Sequence, residues 1–119
     1  MEEFKNRQSA TARLNMALGA LHQVATVAIV AIIVFADIAM ASDSTKRLVA
    51  FIAILTSVTS WIFTSNALLV FQNDSKDMTA AEKATALGSS EVKQPWLVYQ
   101  IYILAVTVAT IVFVLGAIY

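Results

Sequence analysis

Charged residues fall in three short segments of the chain, 1–13, 42–47 and 72–94, with Asp37 the single exception. Between them run three apolar stretches, 14–41, 48–71 and 96–119. Each exceeds the roughly 20 residues that cross a hydrocarbon core of about 30 Å as a helix. Backbone groups in lipid must find their hydrogen bonds within the segment, so each stretch is predicted helical. The fold class that follows is an all-α integral membrane protein, one domain over 1–119 with three transmembrane helices.

The first stretch is long for one crossing, about 42 Å at 1.5 Å per residue. Asn15, His22 and Gln23 assign the surplus to its N-terminal part and leave 24–41 as the lipid-embedded span. The link 42–47 fits only an antiparallel hairpin. The second link carries Thr79-Ala-Ala-Glu82, a capping box in which hydroxyl and carboxylate each bond the other residue's amide. With Gly88 as a C-terminal stop, it predicts a short amphipathic, interfacial helix at 80–87. Pro95 suits the first turn of the third helix. Trp96, Tyr99 and Tyr102 read as an inner aromatic belt and Tyr119 as an outer one.

Composition agrees with this pattern. Hydrophobic residues make up 59 % of the 119 and charged residues 13 %, against about 45–50 % and 25 % in soluble domains. So few charges leave too little polar surface to coat a soluble globule. A formal net charge of zero gives no field for nucleic acid, so the expected partners are the bilayer and other membrane subunits or copies of the chain. With no cysteine, disulfides and thiol chemistry are excluded. Lys5, Arg7, Arg13, Lys76, Lys83 and Lys93 lie at one end and only Lys46 and Arg47 at the other. That asymmetry predicts a cytoplasmic N-terminus and an external C-terminus.

The polar groups inside the spans are the candidate chemistry. Six of the eleven residues in 56–66 carry hydroxyls. On the second helix Ala50, Ala53, Ser57, Ser60, Thr64 and Ala67 recur at alternating three- and four-residue steps, which puts them on one stripe. The third helix repeats the spacing with Ala105, Ala109, Val112 and Gly116 between Tyr102 and Tyr119. Small residues let helices approach closely in lipid, so both stripes are read as packing seams of left-handed crossing near +20°. Asn66 should bond a partner helix or reach the inner interface, because an unpaired amide in hydrocarbon is costly.

Asp37 is the only acid within a predicted span. It is a possible ion contact, and its place near the outer end favours an interfacial pair with Lys46 or Arg47. His22 is the only histidine, about 22 Å along the helix from Asp37. Neither belongs to a metal-ligand set or a catalytic dyad, and no phosphate loop or nucleophile elbow occurs. No enzyme activity and no cofactor are expected.

The expected function is that of a non-catalytic integral membrane subunit that packs into and stabilises a larger assembly, as a homo-oligomer or as an accessory chain of a membrane enzyme or transport complex. The alternative is a small oligomeric pore former, similar to phage holins in length and span number though without the charged tail many of them carry. A third reading takes Ala39-Met40-Ala41 as a cleavage site, giving a two-helix product after Ala41 that resembles conjugative pilins.

Overall fold

The computed structural model describes residues 2–119, the side chains of Glu2 and Phe4 excepted; Met1, assigned above to the cytoplasmic side, lies outside the described residues. Every regular element among them is helical: α1 (Glu2–Phe35), a 3₁₀ turn (Ile38–Met40), α2 (Asp43–Asp77), α3 (Ala80–Lys83), α4 (Ala86–Val92) and α5 (Trp96–Ile118). Three of these, α1, α2 and α5, are long and apolar enough to cross a membrane. The chain is a multi-pass membrane protein.

The molecule is a rod of 62 × 25 × 17 Å. In it α2 occupies the centre, packed along α1 and, over a shorter length, along α5, while α1 and α5 scarcely meet. Hydrogen bonds fix the antiparallel register of α1 and α2. The Lys5 ammonium donates to the Asp77 carbonyl at 3.4 Å, and the Ser9 hydroxyl to the Asp74 carboxylate at 3.4 Å. Further along, Ser60 donates to the Gly19 carbonyl at 2.7 Å, and Thr26 to Thr56 at 3.0 Å. At the opposite end Ile33 and Ile38 close a core with Ala50, Ala53, Val114 and Ile118, to which all three long helices contribute.

The helix bounds differ from those read off hydropathy, and the reasons are local. α1 stops at Phe35 instead of 41 because Asp37 adopts the left-handed conformation, φ 50° and ψ 53°. Aspartate is among the few non-glycine residues that tolerate that region. The following turn buries Ile38 against the core and carries the chain to Ser42, whose hydroxyl caps α2 by accepting from the Thr45 amide at 3.3 Å. At the other end both helices outrun their apolar stretches, α1 starting at Glu2 and α2 ending at Asp77. Hydropathy marks only the lipid-compatible part of a helix, whereas these polar ends pair with each other. α1 and α2, at 34 and 35 residues, reach about 50 Å and so extend some 20 Å beyond a 30 Å hydrocarbon core.

The early stop also moves the span. A crossing of about 20 residues that ended at Phe35 would reach back to Met16 and take in His22 and Gln23, which hydropathy alone assigns to the projecting part.

The predicted helix at 80–87 is two helices. The capping box forms: the Thr79 amide donates to the Glu82 carboxylate at 2.6 Å and the Glu82 amide to the Thr79 hydroxyl at 3.2 Å. Thr85 then caps a second helix, its hydroxyl accepting from the Gly88 amide at 3.0 Å. Gly88 therefore lies in the first turn of α4 and is not a stop. A Cβ there would run into the Glu82 carbonyl, so glycine lets the last turn of α3 fold against α4.

Candidate helix-packing and polar sites

The α2 stripe lies inside the bundle. Ala50, Ala53, Ser57, Ser60 and Ala67 are buried, with 0–7 % exposure, and Thr64 is half-buried. Facing it, α1 presents a heptad: Ala12, Gly19, Thr26 and Ile33, each seven residues from the next, are all buried. Gly19 allows the closest approach. A Cβ there would collide with the Thr64 hydroxyl and stand 3.2 Å from the Ser60 carbonyl oxygen. The sequence signal for this face was the lone glycine of the first helix. It was hard to see because only one of the four heptad members is a large apolar residue.

Two hydroxyl contacts tie this seam. Ser60 is 7 % exposed and spends its proton on the Gly19 carbonyl. Thr26, 1 % exposed, lies 3.0 Å from both its own helix's His22 carbonyl and the Thr56 hydroxyl. Thr56 lies 3.0 Å from the Ile52 carbonyl and 3.1 Å from that of Ala53. One proton on each hydroxyl makes a directed chain, Thr26 to Thr56 to the α2 backbone. Ser57 is buried without a bonded partner.

A second polar contact, unforeseen from sequence, joins α2 to α5. Gln100 accepts from the Ser65 hydroxyl at 2.8 Å and donates to the Ser65 carbonyl at 3.1 Å. Both ends of the carboxamide are thereby used. Both Thr56 and Ser65 stand off the small-residue stripe: Ser65 serves the second neighbour, α5, while Thr56 adds a contact to α1 beside the stripe.

The α5 stripe is placed differently. Ala105, Ala109, Val112 and Gly116 are exposed, as are Tyr102 and Tyr119 at its ends. α5 docks through another face, with Gln100 at one end and buried Val114 and Ile118 at the other. Nothing stands within 4 Å of a Cβ added at Gly116.

Asn66 is exposed, and the polar contact between α2 and α5 is made by its neighbour Ser65. Asp37 is exposed at the turn it creates, and the expected pair with Lys46 or Arg47 does not form: among the described residues the ion pair found is Arg7–Glu3, at 3.9 Å. Asp37 takes the left-handed conformation at the chain reversal that ends α1. His22 is half-buried, with Nδ1 2.7 Å from the Leu18 carbonyl and its ring 5.7 Å from that of Phe63. Because a carbonyl only accepts, Nδ1 carries the proton in this contact. Among the described residues no group of three His, Asp or Glu side chains is placed to hold a metal ion.

Outside the span, the carboxyl of Glu82 is held below the usual glutamate range. The Thr79 backbone amide lowers it most, followed by the Thr79 side chain. No family model, curated protein or solved structure matches the chain.

Proposed function

We propose that the chain is a non-catalytic integral membrane subunit that packs into and stabilises a larger membrane assembly, as a homo-oligomer or as an accessory chain. The observation that carries this reading is the outward placement of Ala105, Ala109 and Gly116. The three-helix fold closes through other residues, so a close-packing surface is left facing lipid. Small residues on a lipid-facing helix gain from a second helix that comes near their backbone. Purification in mild detergent should yield a species larger than one 12.9 kDa chain plus its micelle. Ala105→Leu should reduce that species while Val108→Leu leaves it intact; equal tolerance at both sites removes the support.

The pore reading loses ground because several hydroxyls of the spans are engaged between helices, Thr26, Thr56, Ser60 and Ser65, and because Ser57, which has no bonded partner, is buried inside the bundle. The cleavage reading is disfavoured by the place of Ile38, 6 % exposed in the core that the turn before Ser42 helps to close.

The proposed orientation, with the N-terminal end and the α3–α4 link in the cytoplasm, rests on the six-to-two division of basic residues. Ser90 and Ser44 are both exposed, one at each end. In this thiol-free chain an impermeant reagent applied to intact cells should label Ser44→Cys and spare Ser90→Cys. The reverse result inverts the topology.

A further inference from the structure

Gln23 and Gln100 carry the same side chain in very different surroundings. Gln100 has both ends of its carboxamide bonded to Ser65. Gln23 is exposed on α1, and among the described residues no group of the chain bonds to it. It lies twelve residues before Phe35, about 18 Å along the helix, which for a crossing that ends at Phe35 is well inside a hydrocarbon core of about 30 Å. An amide at that depth, with neither water nor a partner, is strongly disfavoured. Its place calls for an acceptor and a donor from outside the chain.

The surroundings say what shape should bring them. Because α1 and α5 scarcely meet, a furrow runs between them along the bundle. At the level of Gln23 it holds a cavity of about 270 Å³, bounded by Ala20 and Gln23 of α1 and Tyr102 of α5. Towards the Phe35 end lies a second, of about 320 Å³, between Val30 and Val34 of α1 and Ala109 and Phe113 of α5. Val106 borders both, so they are two parts of one furrow. On its α1 bank the exposed residues Ala20, Gln23, Val27, Val30 and Val34 recur at alternating three- and four-residue steps. This is the seam pattern of a helix that pairs with another, carrying one polar member.

We propose that a second copy of this chain packs its α1 against that furrow, with the Gln23 carboxamides of the two copies hydrogen-bonded to each other. The inference rests on the assembly reading above and names its partner. A carboxamide is both donor and acceptor, so two related by a two-fold axis along the membrane normal complete each other with reciprocal N–H···O bonds. Two copies inserted in the same sense carry Gln23 at the same depth, whereas any other helix would need an amide placed there independently. One polar position in an otherwise apolar seam also sets the register of the pair.

The test uses energy transfer between donor- and acceptor-labelled copies of the full chain in phosphatidylcholine vesicles, diluted with lipid to give a dissociation constant. Labels go on Ser90→Cys, exposed and outside the span. Gln23→Leu should weaken association on the order of tenfold, and Gln23→Asn should retain most of it. In unlabelled chains Val30→Cys should form a disulfide between copies on oxidation, and Ile62→Cys, exposed on α2, should not. An unchanged dissociation constant in Gln23→Leu, or crosslinking through Ile62→Cys in place of Val30→Cys, overturns the proposal while leaving self-assembly in place. Absence of transfer in the unsubstituted sequence overturns it too. In that case, copurification with a different membrane protein preserves the assembly reading, and a chain that is monomeric and alone removes both.

Discussion

α2 and α5 carry stripes of small residues at the same spacing, yet the fold uses them in opposite ways. On α2, Ala53 and Ser60 are buried against neighbours in the chain; on α5, Ala109 and Gly116 look outward. The difference follows from the opposing surface. α1 offers Gly19 and Thr26 in register with the α2 stripe, so small residues meet small residues. α5 instead docks through longer side chains, Gln100 reaching Ser65 at one end and Val114 and Ile118 filling the core at the other. The spacing of a small-residue stripe therefore does not by itself say whether the fold of the chain buries it.

The largest effect should come from filling the α1–α2 contact. Gly19→Leu places atoms where Thr64 and the Ser60 backbone already stand, and overpacking of this kind costs about 1–3 kcal/mol or more. Denaturation in mixed detergent should show a matching loss for Gly19→Leu and almost none for Gly116→Leu, whose surroundings are open. Similar losses at both sites would erase the contrast between the stripes.

A smaller effect on stability, with a larger one on assembly, is expected at Ala109→Leu. The unfolding midpoint of the single chain should stay within error, while the larger species on a native gel decreases. Loss of the fold without loss of assembly would mean that the α5 stripe serves the monomer after all.

Gln100→Leu probes the polar part of the α5 docking face. Interhelical hydrogen bonds in membranes average about 0.6 kcal/mol, so the same denaturation measurement should show a loss of that order. A loss as large as that of Gly19→Leu would make the α2–α5 contact the principal one.

The smallest effect is acid-dependent and should leave both stripes untouched, since neither contains a carboxylate or an amine. Glu82 is the exception to look for outside the membrane. Its carboxyl is lowered in the folded chain by the Thr79 amide and hydroxyl. Its contribution is thus fully present above the ordinary glutamate pKa and is lost as pH falls through the lowered value. Protection of the Thr79 amide from exchange, relative to its intrinsic rate at each pH, should fall over that acid window, and Glu82→Gln should abolish the change. An equal loss of protection at Ser60 would show acid reaching the bundle itself.

Much of this arrangement was legible in the sequence. Segregation of charge marked three spans, the three–four spacing picked out the α2 stripe, and Thr79 with Glu82 announced a capped helix. The remainder depended on relations between segments. Nothing local shows that Asp37 will take a left-handed conformation and end α1, and with that end misplaced, Gln23 reads as a residue near water. The polar runs before Leu14 and after Phe71 carry no hydropathy signal, and their helicity comes from lying side by side. Gly88 has the residue type of a terminator, and only the path of α3 shows that it is needed for close approach. Which face of α5 turns inward was set by residues on α2, so its own periodicity was not enough.

The hydroxyl contacts between α1 and α2 bear on how the protein enters a bilayer during its biosynthesis. Alone in lipid, Thr26 and Thr56 would have only their own helices' carbonyls to bond, and Ser60 would lack the Gly19 carbonyl. Paired, Thr26 meets Thr56 and Ser60 meets the Gly19 carbonyl. The short link 36–42 keeps the cost of bringing the two together low. Entry as a preformed hairpin is therefore favoured over helix-by-helix insertion. α5 has no charged residue between Trp96 and Ile118 and is suited to partition by itself and dock afterwards.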